Sequence, residues 1–293
     1  MTVLISNLSD ADVPEARAFL ASNAETSMFL SSNLTNYGPS LSDHLNSGNF
    51  KLLKTDSEVQ GVFCLTRRGN LLAETAGAIQ HVPEILEACR SEPISIAGVV
   101  GEWRIADAIW QALLHEGQIS EVLHTSREPL YRLDLDPSIH HVSTQSTITQ
   151  LDPDDFERWL LLNNAYLKEE GLPVQGSLEQ RRAHFDERAR SGHWWGLWDD
   201  GNLSAIGGLN AVHESTGQIG GVYTVPDQRR RGLATRLMMA VITGSMVSHE
   251  LEKLILFTGD TNLAAQRLYE SLGFERVGEF ALLFGSPREA DVQ

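Results

Sequence analysis

The stretch that most constrains this chain is Arg229-Arg230-Arg231-Gly232-Leu233-Ala234-Thr235. It follows a strand-like run, Gln218 to Val225, and opens a helix-like run, Leu233 to Ser248. A glycine-bearing turn between strand and helix leaves backbone N–H groups unpaired and aimed outward. The first helical turn adds orphan donors at the positive end of the helix dipole. Together they form a seat for a phosphate or diphosphate. Basic runs are more often solvated turns. Here, however, the chain holds 39 Asp+Glu against 23 Lys+Arg, so three adjacent arginines make a positive island.

A second motif lies downstream, Asn262-Leu263-Ala264-Ala265-Gln266-Arg267-Leu268-Tyr269-Glu270-Ser271-Leu272-Gly273-Phe274. Ala265, Leu268 and Leu272 give a helical apolar stripe, and Gly273 stands where a helix C-terminal left-handed residue belongs. Asn262 and Tyr269 are seven residues apart, on one face and about 10 Å apart along the axis. An amide at the helix start and a phenol two turns on can line one elongated ligand. Packing is the commoner duty of such a tyrosine.

These two segments resemble the GNAT superfamily of N-acetyltransferases. Arg229, Gly232 and Ala234 match its diphosphate turn, Q/R-x-x-G-x-G/A. Asn262, Ala265, Leu268, Tyr269, Gly273 and Phe274 match its N-x-x-A-x-x-L-Y-x-x-x-G-F helix. Val222-Tyr223-Thr224-Val225-Pro226 is similar to the strand end before the turn, and with Gly221 it resembles the glycine N-acyltransferase-like branch. The likeness is close over these segments and loose over the rest of the C-terminal half.

The resemblance implies acetyl-CoA, or another acyl-CoA, as donor. Backbone amides of Arg230, Arg231, Gly232, Leu233 and Ala234 would cradle the diphosphate, with the Thr235 hydroxyl adding to them. Gly232, lacking Cβ, lets the backbone approach closely. The pantetheine arm would pair with the strand edge at Tyr223, Thr224 and Val225, which must splay from the strand Leu254–Thr258. A bulge near Val225 is the expected device, Pro226 ends the ladder, and Asn262 would hydrogen-bond the arm. An amine attacks the thioester, and a backbone N–H near Val225 meets the oxyanion. Tyr269 stands at the family's general-acid position. A phenol's ordinary pKa of about 10 lies above a thiol's roughly 8.5, so it is protonated at neutral pH.

The base is open. Gln218 falls where some members place a glutamate, and glutamine cannot accept the proton. Glu214, His213 and His193 are candidates beside a water relay or no base at all. Trp194, Trp195 and Trp198 read as core, with one able to wall an acceptor pocket. Tyr166, Glu169 and Glu170 are placed where they could flank an acceptor pocket, and in the family that region governs the acceptor.

The formal net charge of −16 argues against nucleic-acid and anionic-membrane partners and mildly favours a cationic one. Two cysteines, Cys64 and Cys89, build neither a disulfide framework nor a zinc site, and no metal is expected. No basic leader or 18-residue apolar run occurs, so a reducing cytoplasm is the expectation. The polar segment from Asp134 to Gln150, with His140-His141, reads as a linker.

The expected fold class is α/β (α+β), two GNAT-like domains, each a mixed twisted sheet flanked by helices. Residues 1–136 form a degenerate N-terminal domain, and 143–293 form an acyl-CoA-binding catalytic domain. The N-terminal half has Gln80-His81-Val82-Pro83-Glu84 where a diphosphate turn would stand, with no glycine opening. One helix is expected from about Pro14 through Leu34, a strand at Ile94–Ala97, and two strands at Ile119–Thr125 and Leu130–Leu135. The expected function is transfer of acetyl from acetyl-CoA to a small-molecule or peptide primary amine. The alternative is an acyl-CoA-binding sensor or scaffold with little turnover. A P-loop phosphotransferase is unsupported, since no G-x-x-x-x-G-K-[ST] occurs. Oligomeric state is not legible.

Overall fold

A computed structural model describes residues 3–136 and 147–288. His140-His141 of the expected linker lie outside the described residues. The chain divides into two compact units, residues 1–129 with 278–293, and residues 130–277. The expected boundary in the linker differs from this division. Residues 130–134 belong with the second unit, and the C-terminal strand belongs with the first.

In the first unit, β1 (Val3–Asn7), β2 (Gly48–Thr55), β3 (Glu58–Thr66) and β4 (Asn70–Glu74) follow one another as antiparallel neighbours. Then β4 pairs in parallel with β5 (Gly98–Glu102). Next to β5 lies residues 280–284 of β12 (Glu275–Pro287), antiparallel. Helices α3 (Val82–Arg90) and α4 (Trp103–His115) cover one core, where Ile85, Ile105, Ile109, Trp110 and Leu113 are all buried. The expected single helix is two, α1 (Val13–Ala21) and α2 (Ala24–Tyr37). The break has a local cause. Ser22 Oγ donates to Ala18 O and Asn23 Nδ2 to Phe19 O, so both side chains turn back on the helix end and cap it. The strand expected at Ile94–Ala97 forms later, as β5. The two strands expected between Ile119 and Leu135 are one, β6 (Ile119–Asp134).

The second unit orders its strands as residues 130–134 of β6, then β11 (Lys253–Phe257), β10 (Thr216–Thr224), β9 (Asn202–His213), β8 (Trp194–Asp199) and β7 (Ile148–Gln150). Only β10 and β11 are parallel here. Strand alternation, reset by the register shifts on β9 and β10, sorts the side chains to two faces. Trp194, Leu203, Ile206 and Tyr223 join Phe156, Trp159 and Phe185 under α5 (Phe156–Glu169) and α6 (Leu178–Arg190). Trp195, Ala205, Leu209 and Ile219 pack against α7 (Leu233–His249) and α8 (Leu263–Ser271). From α7 alone, Leu237, Met238 and Val241 are fully buried, each contributing roughly 1.5–3 kcal/mol. Each unit is thus a mixed twisted sheet flanked by helices, as expected for the fold class.

Candidate acyl-donor site

The two parallel strands of the second unit part company early. β10 and β11 are paired only from Thr216↔Lys253 to Gln218↔Ile255. In the first unit β4 and β5 stay paired from Asn70↔Gly98 to Ala73↔Gly101. The parting is made on β10. Its register against β9 jumps between Gly220 and Tyr223, which leaves Gly221 and Val222 without a partner in either ladder. Gly221 has φ +62°, and a Cβ there would meet Trp194 Cη2 at 2.7 Å. The position therefore demands glycine twice over, by backbone and by room. The bulge expected near Val225 is real but sits earlier. Pro226 begins a short 3-10 turn at Val225, so the ladder has already ended there.

The gap opens into a cavity of about 360 Å³. The turn residues Arg230, Gly232, Leu233, Ala234 and Thr235 line one side, and Asn262, Ala265, Leu268 and Tyr269 of α8 line another. Val222, Tyr223 and Thr224 of β10 and Glu169 and Glu170 at the end of α5 complete the wall. Two sequence-distant motifs therefore meet at one cavity.

The turn is a backbone concavity. Arg230 has φ +62° and Gly232 φ +75°, alternating with right-handed or extended neighbours, a conformation that points successive N–H groups inward. Nothing lies within 4 Å of a Cβ built on Gly232, so the space above it is open. The three arginines do different things. Arg229 Nη2 donates to Glu169 Oε2 at 2.6 Å and its Nε to Thr224 O at 2.9 Å, and its guanidinium lies 5.4 Å from the Tyr223 ring centre. Arg231 Nη1 reaches Asp199 Oδ2 at 3.0 Å, an exposed pair worth at most about 1 kcal/mol. Arg231, expected in the cradle through its backbone amide, is not among the lining residues. Arg230 lines the cavity and has no ion-pair partner among the described residues.

Val225 also departs from expectation. It does not line the cavity, and its N–H is donated to Ser204 O at 3.0 Å. It is thus withdrawn from service as an oxyanion donor. Asn262 is the N-cap of α8. Its Oδ1 accepts from Ala265 N at 3.2 Å, and its Nδ2 donates to Glu170 Oε1 at 3.5 Å. Tyr269 is buried between the Tyr131 ring, 6.3 Å away, and the Phe274 ring, 6.0 Å away. Thr224 Oγ1 and Gln228 Oε1 are buried in the cavity wall without hydrogen-bond partners among the described residues. Buried orphan groups of this kind are rare. They suit a ligand that brings hydroxyl or amide groups to this wall.

The base candidates fall away from the cavity. Gln218 is buried and donates Nε2 to Ile219 O at 2.6 Å. His213 and Glu214 sit at the β9–β10 hairpin and do not line the cavity. His193 does not line it either. Burial, then the Arg188 guanidinium and His249, push the His193 imidazole down to about 4. In the unfolded chain the same imidazole titrates near 6.5. Between these values the unfolded chain holds the additional proton, so His193 withdraws stability as pH falls from about 6.5 towards 4. Urea midpoints at neutral pH and at pH about 5 should differ by more in the wild type than in His193→Gln, and equal differences would remove this assignment. None of Trp194, Trp195 and Trp198 walls the cavity. Trp194 and Trp195 are core, and Trp198 Nε1 donates to Thr149 Oγ1. Among the described residues, no three His, Cys, Asp or Glu side chains come together as a metal group and no helix is long and apolar enough to cross a membrane.

Residues 155–274 match the model of the acetyltransferase (GNAT) family. The chain is also 34% identical over 138 residues to the mycothiol acetyltransferase of Thermobispora bispora, covering 42% of this chain and 43% of that protein's length. Both matches fall on an acetyltransferase and support an acyltransferase here. Among solved structures, a Drosophila protein superposes with a TM-score of 0.70 at 15% identity, over 96% of this chain and 99% of its own. A tandem GNAT protein from the clavulanic acid biosynthesis pathway superposes with a TM-score of 0.54 at 13% identity, over 99% and 100%. At these identities the two structures speak for the fold alone.

Proposed function

We propose that the chain is an N-acetyltransferase that moves the acetyl group of acetyl-CoA to a primary amine by direct attack on the thioester. The observation that carries this reading is the parting of β10 from β11 after Gln218, which opens a cavity onto both motifs at once. The diphosphate belongs at the Arg230–Thr235 turn, over the open space above Gly232. The pantetheine belongs along Tyr223 and Thr224, with Asn262 Nδ2 opposite. Arg231 contributes its backbone, its side chain being engaged with Asp199. In place of Val225, we assign the meeting of the oxyanion to the bulged Gly221–Val222 segment of β10, whose Val222 lines the cavity. Holding both reactants in one cleft supplies several kcal/mol of the barrier, and Tyr269 returns a proton to the leaving thiolate.

In this reading residues 1–136 carry no donor seat. Their parallel pair stays zipped, and α3 starts at Val82 with Pro83 and no side-chain cap. The two-domain account of the chain, with a catalytic C-terminal half, rests on that contrast. The glycine N-acyltransferase-like kinship rests only on the Gly221–Pro226 phrase.

Gly232→Glu tests the seat. It adds a strained left-handed side chain, about 1–2 kcal/mol, and a carboxylate over the anion site. Calorimetry should show acetyl-CoA affinity down by about 100-fold or more. Affinity equal to wild type would displace the diphosphate from this turn. Turnover of acetyl-CoA with a panel of primary amines, against donor alone, separates an acetyltransferase from a protein that only senses acyl-CoA.

A further inference from the structure

Two carboxylates belong to the cavity, and they differ in what they touch. Glu169 is paired with the Arg229 guanidinium at 2.6 Å. Glu170 has no salt-bridge partner among the described residues, the Arg229 guanidinium acting on it only at longer range. Its Oε1 takes the Asn262 Nδ2 hydrogen bond, and its Oε2 lies beside Gly259, 3.9 Å from where a Cβ would be. No histidine lines the cavity, and Gln218 is chemically unable to take a proton. Glu170 is therefore the carboxylate of the cavity that makes no direct ion pair among the described residues.

Asn262 links this carboxylate to the donor. Its Oδ1 is committed to capping α8, so Nδ2 is the half of the amide left for a ligand carbonyl. A pantetheine carbonyl that draws the Nδ2 hydrogen now aimed at Glu170, across a contact already long at 3.5 Å, would weaken or break the hydrogen bond that Glu170 holds. A bond to the charged form favours that form, so its loss makes the carboxylate more basic. The groups facing Glu170 are Glu169 beside it, Arg229 from the turn and Asn262 from α8. Burial, then Glu169, already hold its carboxyl above the ordinary range, with Asn262 and Arg229 opposing.

Building on the acetyl-transfer reading, we propose that Glu170 is the proton acceptor for the attacking nitrogen, and that the acceptor is a cationic primary amine that binds after the donor. Glu170 takes one proton from the ammonium, leaving a neutral amine. The nitrogen lone pair forms the C–N bond to the thioester carbonyl carbon. The C–S bond breaks with its electron pair on sulfur, and the thiolate takes the Tyr269 proton. The nitrogen's second proton restores Tyr269 through water, and Glu170 gives its proton to solvent. One proton is released per turnover.

The test has two readouts. Acetyl-CoA binding is titrated calorimetrically at mildly acidic pH in two buffers of unlike ionisation enthalpy. Wild type should take up more protons on binding than E170Q. Then kcat/KM is followed against pH with spermidine, lysine methyl ester and glucosamine. E170Q should lose about 100-fold or more at neutral pH together with the acid limb, while its acetyl-CoA Kd stays within about threefold; E170D should recover part. Equal proton uptake in wild type and E170Q overturns the proposal, as does an acid limb that survives in E170Q. An E170Q Kd weakened by the same factor as kcat/KM also overturns it, since Glu170 would then belong to the donor seat. If none of the three amines is acetylated, the proton uptake decides. Failure of the wild type to bind acetyl-CoA would instead overturn the reading beneath it.

Discussion

Tyr269→Phe should lower kcat by about 100-fold or more while the Kd for acetyl-CoA stays within about threefold. The side chain is buried, and its ring is held by Tyr131 and Phe274. Phenylalanine keeps those contacts and the shape of the cavity wall. What is lost is the hydroxyl group, with the proton it carries. If that proton is the one delivered to the leaving thiolate, the loss is felt only as the C–S bond breaks. Binding of the intact thioester does not depend on it. A kcat equal to wild type, with saturating amine and chemistry rate-limiting, would strip Tyr269 of this role and leave it a packing residue.

Gly221→Val should cost about 2–5 kcal/mol of stability and abolish turnover in whatever folded protein remains. Two penalties combine. A β-branched residue held in the left-handed region is strained by about 1–2 kcal/mol. Its Cβ would also arrive 2.7 Å from Trp194 Cη2, and overpacking a dense core costs about 1–3 kcal/mol. Trp194 cannot swing away cheaply, since it is buried with Trp159, Phe185 and Tyr223 in the core beneath α5 and α6. Relief would come instead from straightening the bulge, which would draw β10 back towards β11. Urea unfolding reads the first effect, and acetyl-CoA affinity per folded molecule reads the second. A stable Gly221→Val protein with unaltered donor affinity would show that the bulge does not open the cavity.

Much of this arrangement was legible from residue patterns alone. The glycine turn, the helix behind it and the Asn262–Tyr269 face all lie within short windows, where periodicity and capping chemistry are local. The break at Ser22–Asn23 was not, because it depends on two polar side chains folding back on carbonyls rather than on a proline or glycine. The bulge was misplaced for a related reason. Pro226 marks where the ladder must stop, whereas Gly221 yields to Trp194, a contact from another strand. The fate of Arg229 and Arg231 was also hidden. An arginine triplet announces charge, but Glu169 and Asp199, which engage two of the three, come from distant elements. Strand membership was least legible of all. A run such as Leu130–Asp134 has the same β propensity whichever sheet it joins.

That exchange of strands has a practical consequence for anyone dividing the gene. A fragment ending near residue 136 would lose residues 280–284, the neighbours of β5, and one starting near 143 would lose residues 130–134, the neighbours of β11. Each piece would present a raw sheet edge and invite aggregation. Co-expressed, the two pieces would hold each other's missing strands and should rescue one another, as complementing halves of a split protein do.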